Sequence, residues 1–218
     1  MICWSEILEG RGWMDGLASP VGPPACISFV SPKWKDGSRA MLYADLIASE
    51  VSGPARECDW DLISAGWGMR VPADYIDFMQ ELGPGVLGGY LSIMAPSPDL
   101  EAVDSSDMAL ETQDARVDWD DPDAPKSSRL AAATPVLICW GVSNDANRYC
   151  WDVSDGARST YVHHRDADMW DAFPWSFSDF LSRLVGGNVE GGSFQLLASH
   201  YLGWRAPVSY VPHESPKW

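Results

Sequence analysis

The residues of this 218-residue sequence best suited to chemistry are two adjacent histidines, His163 and His164, followed closely by Asp166 and Asp168. Imidazole and carboxylate groups together could hold a metal ion. The segment around the histidines, however, has the composition of a strand, and neighbouring side chains on a strand point to opposite faces. The two histidines therefore cannot bind one metal together, and the remaining alternative is a site made of one of them with Asp166 and Asp168. We interpret the segment as a strand that ends in an acidic turn, and we predict no metal and no cofactor.

A second candidate is a nucleophile–base pair formed by Cys150 and His163. Cys150 follows Tyr149 and precedes Trp151 in an apolar segment, so a buried and inert thiol is the better interpretation. The cysteines are widely spaced, and the sequence has no CxxC motif. This pattern indicates neither a disulfide framework nor a zinc cluster. The sequence also lacks the phosphate-loop, hydrolase and zinc-protease motifs. We therefore expect a protein that is not an enzyme.

Negative charge is the most distinctive property of the composition. The chain has 31 acidic and 15 basic residues and a formal net charge of −16. Such a chain should repel nucleic acid and anionic membranes, because binding to phosphate needs lysine and arginine. It should attract a basic protein partner, although an acidic composition also serves solubility alone. We predict a protein partner, no nucleic acid and no membrane.

The acidic residues concentrate in one segment, residues 99–123, which holds ten of them against the single base Arg116. We interpret this segment as a long polar link with at most one helical turn near Met108, either a solvated loop or a docking surface for a basic protein. Its aspartate spacing does not match a calcium-binding loop. Tryptophan is enriched as an anchor in interfaces. The candidate partner-binding residues are therefore Asp118, Trp119, Asp120, Asp121 and Asp123.

Regular elements that could position this segment are predicted on both sides of it. Before it, residues 57–66 and 72–82 have the apolar spacing of helices, and residues 90–94 read as a strand. After it, we predict strands over 134–140, 148–153 and 160–164 and a helix over 176–184. Residues 144–147 have turn composition, which makes the first two of these strands an antiparallel hairpin. Residues 40–51 also look helical, and residues 193–201 are a candidate last helix before a proline-rich tail.

Several short motifs occur in a familiar order. The first group is Val71-Pro-Ala-Asp-Tyr75, Leu82-Gly-Pro-Gly85, Tyr90-Leu91 and Pro96. The second group is Cys139-Trp-Gly141, Asn144-Asp145, Tyr149-Cys-Trp151 and Phe177-Ser-Asp-Phe-Leu181. Together they resemble the SUKH superfamily, the relatives of a yeast cell-wall regulator that serve in bacteria mostly as toxin-immunity proteins. The chain departs from the family at Leu82, which replaces an aromatic residue or asparagine, and in its longer, more acidic link.

The resemblance implies an α+β fold: a single mixed or antiparallel sheet of four or more strands with helices packed on one side. The family-like domain covers residues 58–187. Residues 1–57 form an N-terminal extension without a family counterpart, and residues 188–218 a C-terminal helix and proline-rich tail that packs on the domain or trails it. The implied function is that of a cytoplasmic immunity protein that neutralises a toxin, such as a nuclease, by occluding its basic active site. The alternative is a regulatory or scaffold module that binds proteins with no toxin involved.

Overall fold

The structure, a computed structural model, describes residues 47–49, 58–103, 106–126, 130, 132–186 and 208–213. Its centre is one sheet whose strands lie in the order β1-β8-β2-β3-β4-β5-β6-β7. The strands are β1 (Ile47–Ser49), β2 (Gly85–Leu87), β3 (Leu91–Ile93), β4 (Leu137–Ser143), β5 (Arg148–Asp152), β6 (Thr160–His164), β7 (Met169–Phe173) and β8 (Val208–Pro212). The seven strands from β8 to β7 run antiparallel, and β1 lies parallel to β8 at the edge. This confirms the predicted α+β fold with a single sheet.

Four helices accompany the sheet: α1 (Trp60–Trp67), α2 (Ala73–Glu81), α3 (Asp107–Asp120) and α4 (Phe177–Gly186). Side chains alternate between the two faces of a strand, so Trp151 and Arg148 of β5 point in opposite directions. Trp151 contacts rings of α1, α2 and α4, whereas Arg148 bonds to acids of α3. The prediction that helices cover one side of the sheet therefore holds for three helices, and α3 lies on the opposite face.

The face that carries α1, α2 and α4 is packed with aromatic rings. Tyr75 of α2 is fully buried and meets Trp151 and Phe177 edge-on, at centroid distances of 4.9 and 5.3 Å. Its hydroxyl donates a 2.6 Å hydrogen bond to the carbonyl of Met94, just beyond β3. The three- and four-residue spacing that predicted α2 thus places its apolar side chains on the sheet. Edge-to-face contacts of this kind add to the stabilisation that burial provides.

The hairpin β4–β5 contains a β-bulge at Trp140. The pairing register shifts between Cys139 and Gly141, so Trp140 is an extra residue in β4. Its fully buried indole contacts Phe177 and Phe180 of α4 on the aromatic face. Next to the bulge, the amide of Cys139 donates a hydrogen bond to Thr112 of α3. A bulge of this kind re-aims side chains and frees backbone groups from the ladder.

Some predictions near the chain ends differ from the structure. Residues 47–49 form β1, although the surrounding segment 40–51 was predicted to be helical; its other residues lie outside the described part of the chain. The predicted last helix over 193–201 also lies outside it. The sequence leaves open whether the C-terminal tail packs on the domain or trails it; residues 208–212 pack on it, as strand β8 between β1 and β2. The short strands β2 and β7 were not predicted.

Candidate partner-binding surface

Helix α3 replaces the polar link that the sequence predicted. It begins after Ser106, whose extended backbone and side chain cap the helix: Oγ accepts a 3.1 Å hydrogen bond from the amide of Ala109. Asp107 follows in the first turn, where the helix dipole favours a negative charge. A serine N-cap followed by an acid is a sequence signal for a helix start, so this part of α3 could have been found from the sequence.

The buried side of α3 is made mostly of small residues. Its buried members are Met108, Ala109, Thr112, Ala115 and Trp119. Small side chains let the helix backbone approach β4 closely enough for direct hydrogen bonds. Thr112 Oγ1 accepts from the amide of Cys139 at 3.0 Å, and Arg116 Nε donates to the carbonyl of Leu137 at 3.1 Å. These bonds satisfy backbone groups in the first part of β4, where β3 does not pair with it: β3 pairs only with residues 141–143.

Three acids of α3 surround one arginine of the sheet. Arg148, which is nearly buried, donates to Glu111 at 2.7 Å, to Asp114 at 3.0 Å and also to Asp118. Burial acts to lower the pKa of Arg148, but the hydrogen bond and charge of Glu111, together with the charges of Asp118 and Cys139, outweigh it and the pKa is raised. The guanidinium is therefore held in its charged form. One positive charge faces three carboxylates, so the cluster keeps a negative balance next to the acidic end of α3.

His163 extends this cluster towards the turn between β6 and β7. Its ring is fully buried and stacks on Trp170 at a centroid distance of 4.9 Å. Nδ1 lies 3.2 Å from Asp118 Oδ2, and Nε2 lies 3.2 Å from Asp168 Oδ1. Burial lowers the pKa of His163, and Asp118 and Asp168 act in the opposite direction. The histidine thus joins α3 to the acidic turn that the sequence predicted.

The other chemical candidates have definite places in the sheet. Cys150 is fully buried opposite Cys139, and burial raises the pKa of its thiol, so the nucleophilic thiolate is disfavoured. In the part of the chain that the structure describes, no group of three or more histidine, cysteine, aspartate or glutamate side chains is arranged to hold a metal. No helix among the same residues is both long and apolar enough to cross a bilayer.

The five candidate partner-binding residues divide into two sets. Asp118 belongs to the Arg148 cluster and is only partly accessible. Trp119 was predicted as a surface anchor, and this is corrected by the structure: it is 7% exposed and packs edge-on against Tyr161 and Trp170. An indole fits that space between helix and sheet because β6 and β7 present aromatic rings there.

The second set is exposed at the C-terminal end of α3 and consists of Asp120, Asp121 and Asp123. Asp121 ends the helix, and its Oδ1 accepts a 2.9 Å hydrogen bond from the amide of Asp123. Lys126 Nζ donates to the carbonyl of Asp121 at 3.1 Å and lies 5.2 Å from the Trp119 ring centroid. The nearby lysine is therefore engaged with the backbone and the indole.

The charges at this helix end are unfavourable for the isolated helix. The C-terminus of a helix carries partial negative charge, and each acid there costs about 0.3–1 kcal/mol. The last turn of α3 contains no basic residue. A sequence that violates a local stability rule in this way often does so at a functional site. A cationic partner placed against the end of α3 would relieve the repulsion.

An open groove of about 460 Å³ is lined by residues of α1, by residues 98–101 and by Arg116 of α3. Leu62 and Trp67 contribute apolar walls, and Arg116 lies at one end. Arg116 pairs with Glu101 at 3.0 Å across this groove. Arg116 and Glu101 neutralise each other, and among the described residues Asp99 is the one further charged side chain that lines the groove, so the groove is less acidic than the end of α3.

Comparison of the chain with protein-family models, with curated proteins and with solved structures gives no match.

Proposed function

We propose that this chain is an immunity protein that binds a basic bacterial toxin domain, such as a nuclease, and neutralises it by covering the toxin's cationic active site. The observation that carries the proposal is the exposed set Asp120, Asp121 and Asp123 at a helix end where their charge is unfavourable. The SUKH-like motifs of the sequence supply the class of partner. The protein would act in the cytoplasm of the toxin-producing cell, before the toxin is exported.

Electrostatic complementarity is the proposed mechanism. A toxin that acts on nucleic acid needs a basic cleft for phosphates, and exposed carboxylates can occupy that cleft in their place. With a net charge of −16, the chain would also accelerate the encounter with a basic partner, an effect that falls as salt concentration rises. The chain would bind its partner and would catalyse no reaction.

The remaining candidate residues take supporting roles in this proposal. Asp118 bonds Arg148 and lies beside His163, so it fixes the last turn of α3 against the sheet. Trp119 packs beneath the same turn. Both residues would hold the exposed aspartates in place, and preorganised charges lose less entropy on binding than mobile ones.

Substitution of the three exposed aspartates at the end of α3 tests whether they form the toxin-binding surface. We expect the variant Asp120→Asn, Asp121→Asn, Asp123→Asn to bind the cognate toxin more weakly and with a smaller salt dependence. The matched control replaces three exposed acids on the other face: Asp61→Asn, Glu81→Gln and Asp179→Asn. Both variants lose the same charge, so a general field effect would weaken both equally. Unchanged toxin affinity in the α3 variant would refute the proposed surface.

The toxin is to be identified first, by co-purification from the native host and by inspection of the neighbouring genes. A basic protein that is captured, is encoded next to this chain and stops growth when expressed alone supports immunity. A captured protein without toxicity supports instead the regulatory or scaffold alternative.

A further inference from the structure

The solvent-exposed side of α3 has a regular pattern. We call the following five residues the outward seam: Asp107, Leu110, Asp114, Val117 and Asp121. All five are exposed, and they follow one another at alternating steps of three and four along the chain. Residues with this spacing lie on one face of a helix. The seam therefore runs along the whole of α3, with aliphatic and acidic side chains in alternation.

The aliphatic members of the seam are conspicuous. Val117 is 70% exposed and Leu110 is 46% exposed, and they are two of five large apolar side chains that the described part of the chain leaves at the surface. They stand one heptad apart, about 10.5 Å along the axis. Single exposed apolar residues are common, but two in register between acids form a docking pattern.

We propose that the outward seam docks an amphipathic basic helix of the partner: its aliphatic side chains contact Leu110 and Val117, and its lysines or arginines pair with the seam aspartates. This inference rests on the proposed function and specifies how the partner is recognised. A helix that repeats apolar and basic residues at three- and four-residue steps matches the seam, as in the packing of coiled coils.

The spacing favours a helix over an extended strand as the occupant. On a strand, side chains of one face repeat about every 6.8 Å, which does not match the roughly 10.5 Å between the two aliphatic seam residues. A partner helix has the same heptad rise as α3, so each of its turns meets the equivalent turn of the seam.

Charge decides which helix the seam accepts. A second copy of α3 would place aspartates against aspartates, which is repulsive. Asp114 shares the single guanidinium of Arg148 with two other carboxylates, so it retains negative charge for a partner. The favoured occupant is therefore basic.

The test uses the full chain and a synthetic helical peptide, about 15 residues long and stapled so that it stays helical in water. The seam peptide repeats isoleucine and lysine at three- and four-residue steps along one face. A scrambled peptide of the same composition and charge serves as its control. We expect the seam peptide to bind at least about tenfold more tightly than the scrambled one, because only it buries the aliphatic pair.

Neutral substitutions locate the binding site without changing the charge. Val117→Gln should weaken binding of the seam peptide about tenfold, because it removes one buried aliphatic contact. The matched control is Val211→Gln on β8, where the valine is 63% exposed. This variant should leave the affinity unchanged. Both sites are exposed, so thermal melts of the two variants should match that of the parent protein.

Two results would refute the proposal that the outward seam docks a basic helix. One is equal affinity for the two peptides, or no binding of either; the other is equal behaviour of the Val117 and Val211 variants. Neither result decides the proposed function, which depends on toxin binding by the variant lacking Asp120, Asp121 and Asp123. Loss of toxin binding in that variant together with equal peptide affinities would leave a basic partner that docks without the seam.

Discussion

Arg148 of β5 donates from Nε to Glu111 Oε2 of α3 at 2.7 Å, and this ion pair ties the acidic helix to the centre of the sheet. The same guanidinium bonds Asp114 and Asp118. An arginine can serve three carboxylates because its planar group presents five donors. The guanidinium of Arg148 is thus a shared counter-charge for three acids of α3, whereas Asp107, Asp120 and Asp121 of the same helix and its C-cap are exposed.

Removal of Arg148 should destabilise the protein strongly. We expect Arg148→Met to reduce the free energy of unfolding by about 1.5–3 kcal/mol, because the partly buried Glu111 and Asp118 and the half-exposed Asp114 would lose their common counter-charge. Chemical denaturation measures this. The control Glu101→Gln breaks the exposed pair with Arg116 and should cost less than about 1 kcal/mol. Equal losses in the two variants would contradict the role given to Arg148.

Stability should depend on pH through His163. Its pKa is lowered in the folded state, so the unfolded chain takes up this proton at higher pH than the folded chain. The stability contributed by neutral His163 is therefore present above the unfolded pKa of about 6.5 and is lost as pH falls. The charged groups facing the ring are Asp118, Asp168 and Arg148.

Unfolding at pH 7.5 and at pH 5.5 should reveal this contribution. We expect His163→Gln to lose less stability between these two pH values than the parent protein does, because its side chain does not titrate. Because both proteins contain the same carboxylates, the contribution of these groups to the pH dependence cancels in the comparison. A parent protein with the same pH dependence as the variant would show that His163 contributes nothing to it.

Asp74 caps a helix other than its own. This buried carboxylate of α2 accepts hydrogen bonds from the amide and hydroxyl of Ser178, at 2.9 and 3.0 Å, in the first turn of α4. Asp74→Ala should cost about 2 kcal/mol, because the amide at the start of α4 loses its acceptor. Amide hydrogen exchange should rise in that turn.

Two further variants separate the cap from charge alone. Asp74→Asn keeps one acceptor oxygen and should lose less stability than Asp74→Ala. Asp77→Ala, on the same helix, should have little effect on exchange in α4. Unaltered exchange at Ser178 in the Asp74→Ala variant would show that the cap is not needed.

Replacing Gly66 by alanine should change the stability of the protein in the direction opposite to that usual for a helix. Alanine normally stabilises a helix interior by about 1 kcal/mol relative to glycine. A Cβ at Gly66 would lie only 1.7 Å from the carbonyl oxygen of Pro98. We therefore expect Gly66→Ala to destabilise the protein by about 1–3 kcal/mol, measured by thermal or chemical unfolding.

The exposed neighbour Ala65 provides the reference for this substitution, since Ala65→Gly reports the ordinary helix preference at nearly the same place. That variant should lose about 1 kcal/mol. An increase in stability of the Gly66→Ala variant would mean that α1 does not pack on Pro98 as closely as the structure has it.

The sequence alone determined the elements whose patterns are local. The three- and four-residue spacing of Tyr75, Phe78 and Met79 predicted α2, and β6 was predicted with the bounds that the structure has. The apolar segments around the turn at 144–147 predicted the hairpin of β4 and β5. Periodicity and turn composition act within a few residues, so they can be recognised without knowledge of the rest of the chain.

Only the tertiary structure decided the position of α3. Its buried side consists largely of small residues and its outward side carries Leu110 and Val117, so no apolar stripe distinguishes one face in the sequence. The burial of Trp119 depends on rings from β6 and β7, and β8 becomes a strand by pairing with β1 and β2, which lie far away in the chain. Such contacts join residues distant in sequence, and local preference cannot specify them.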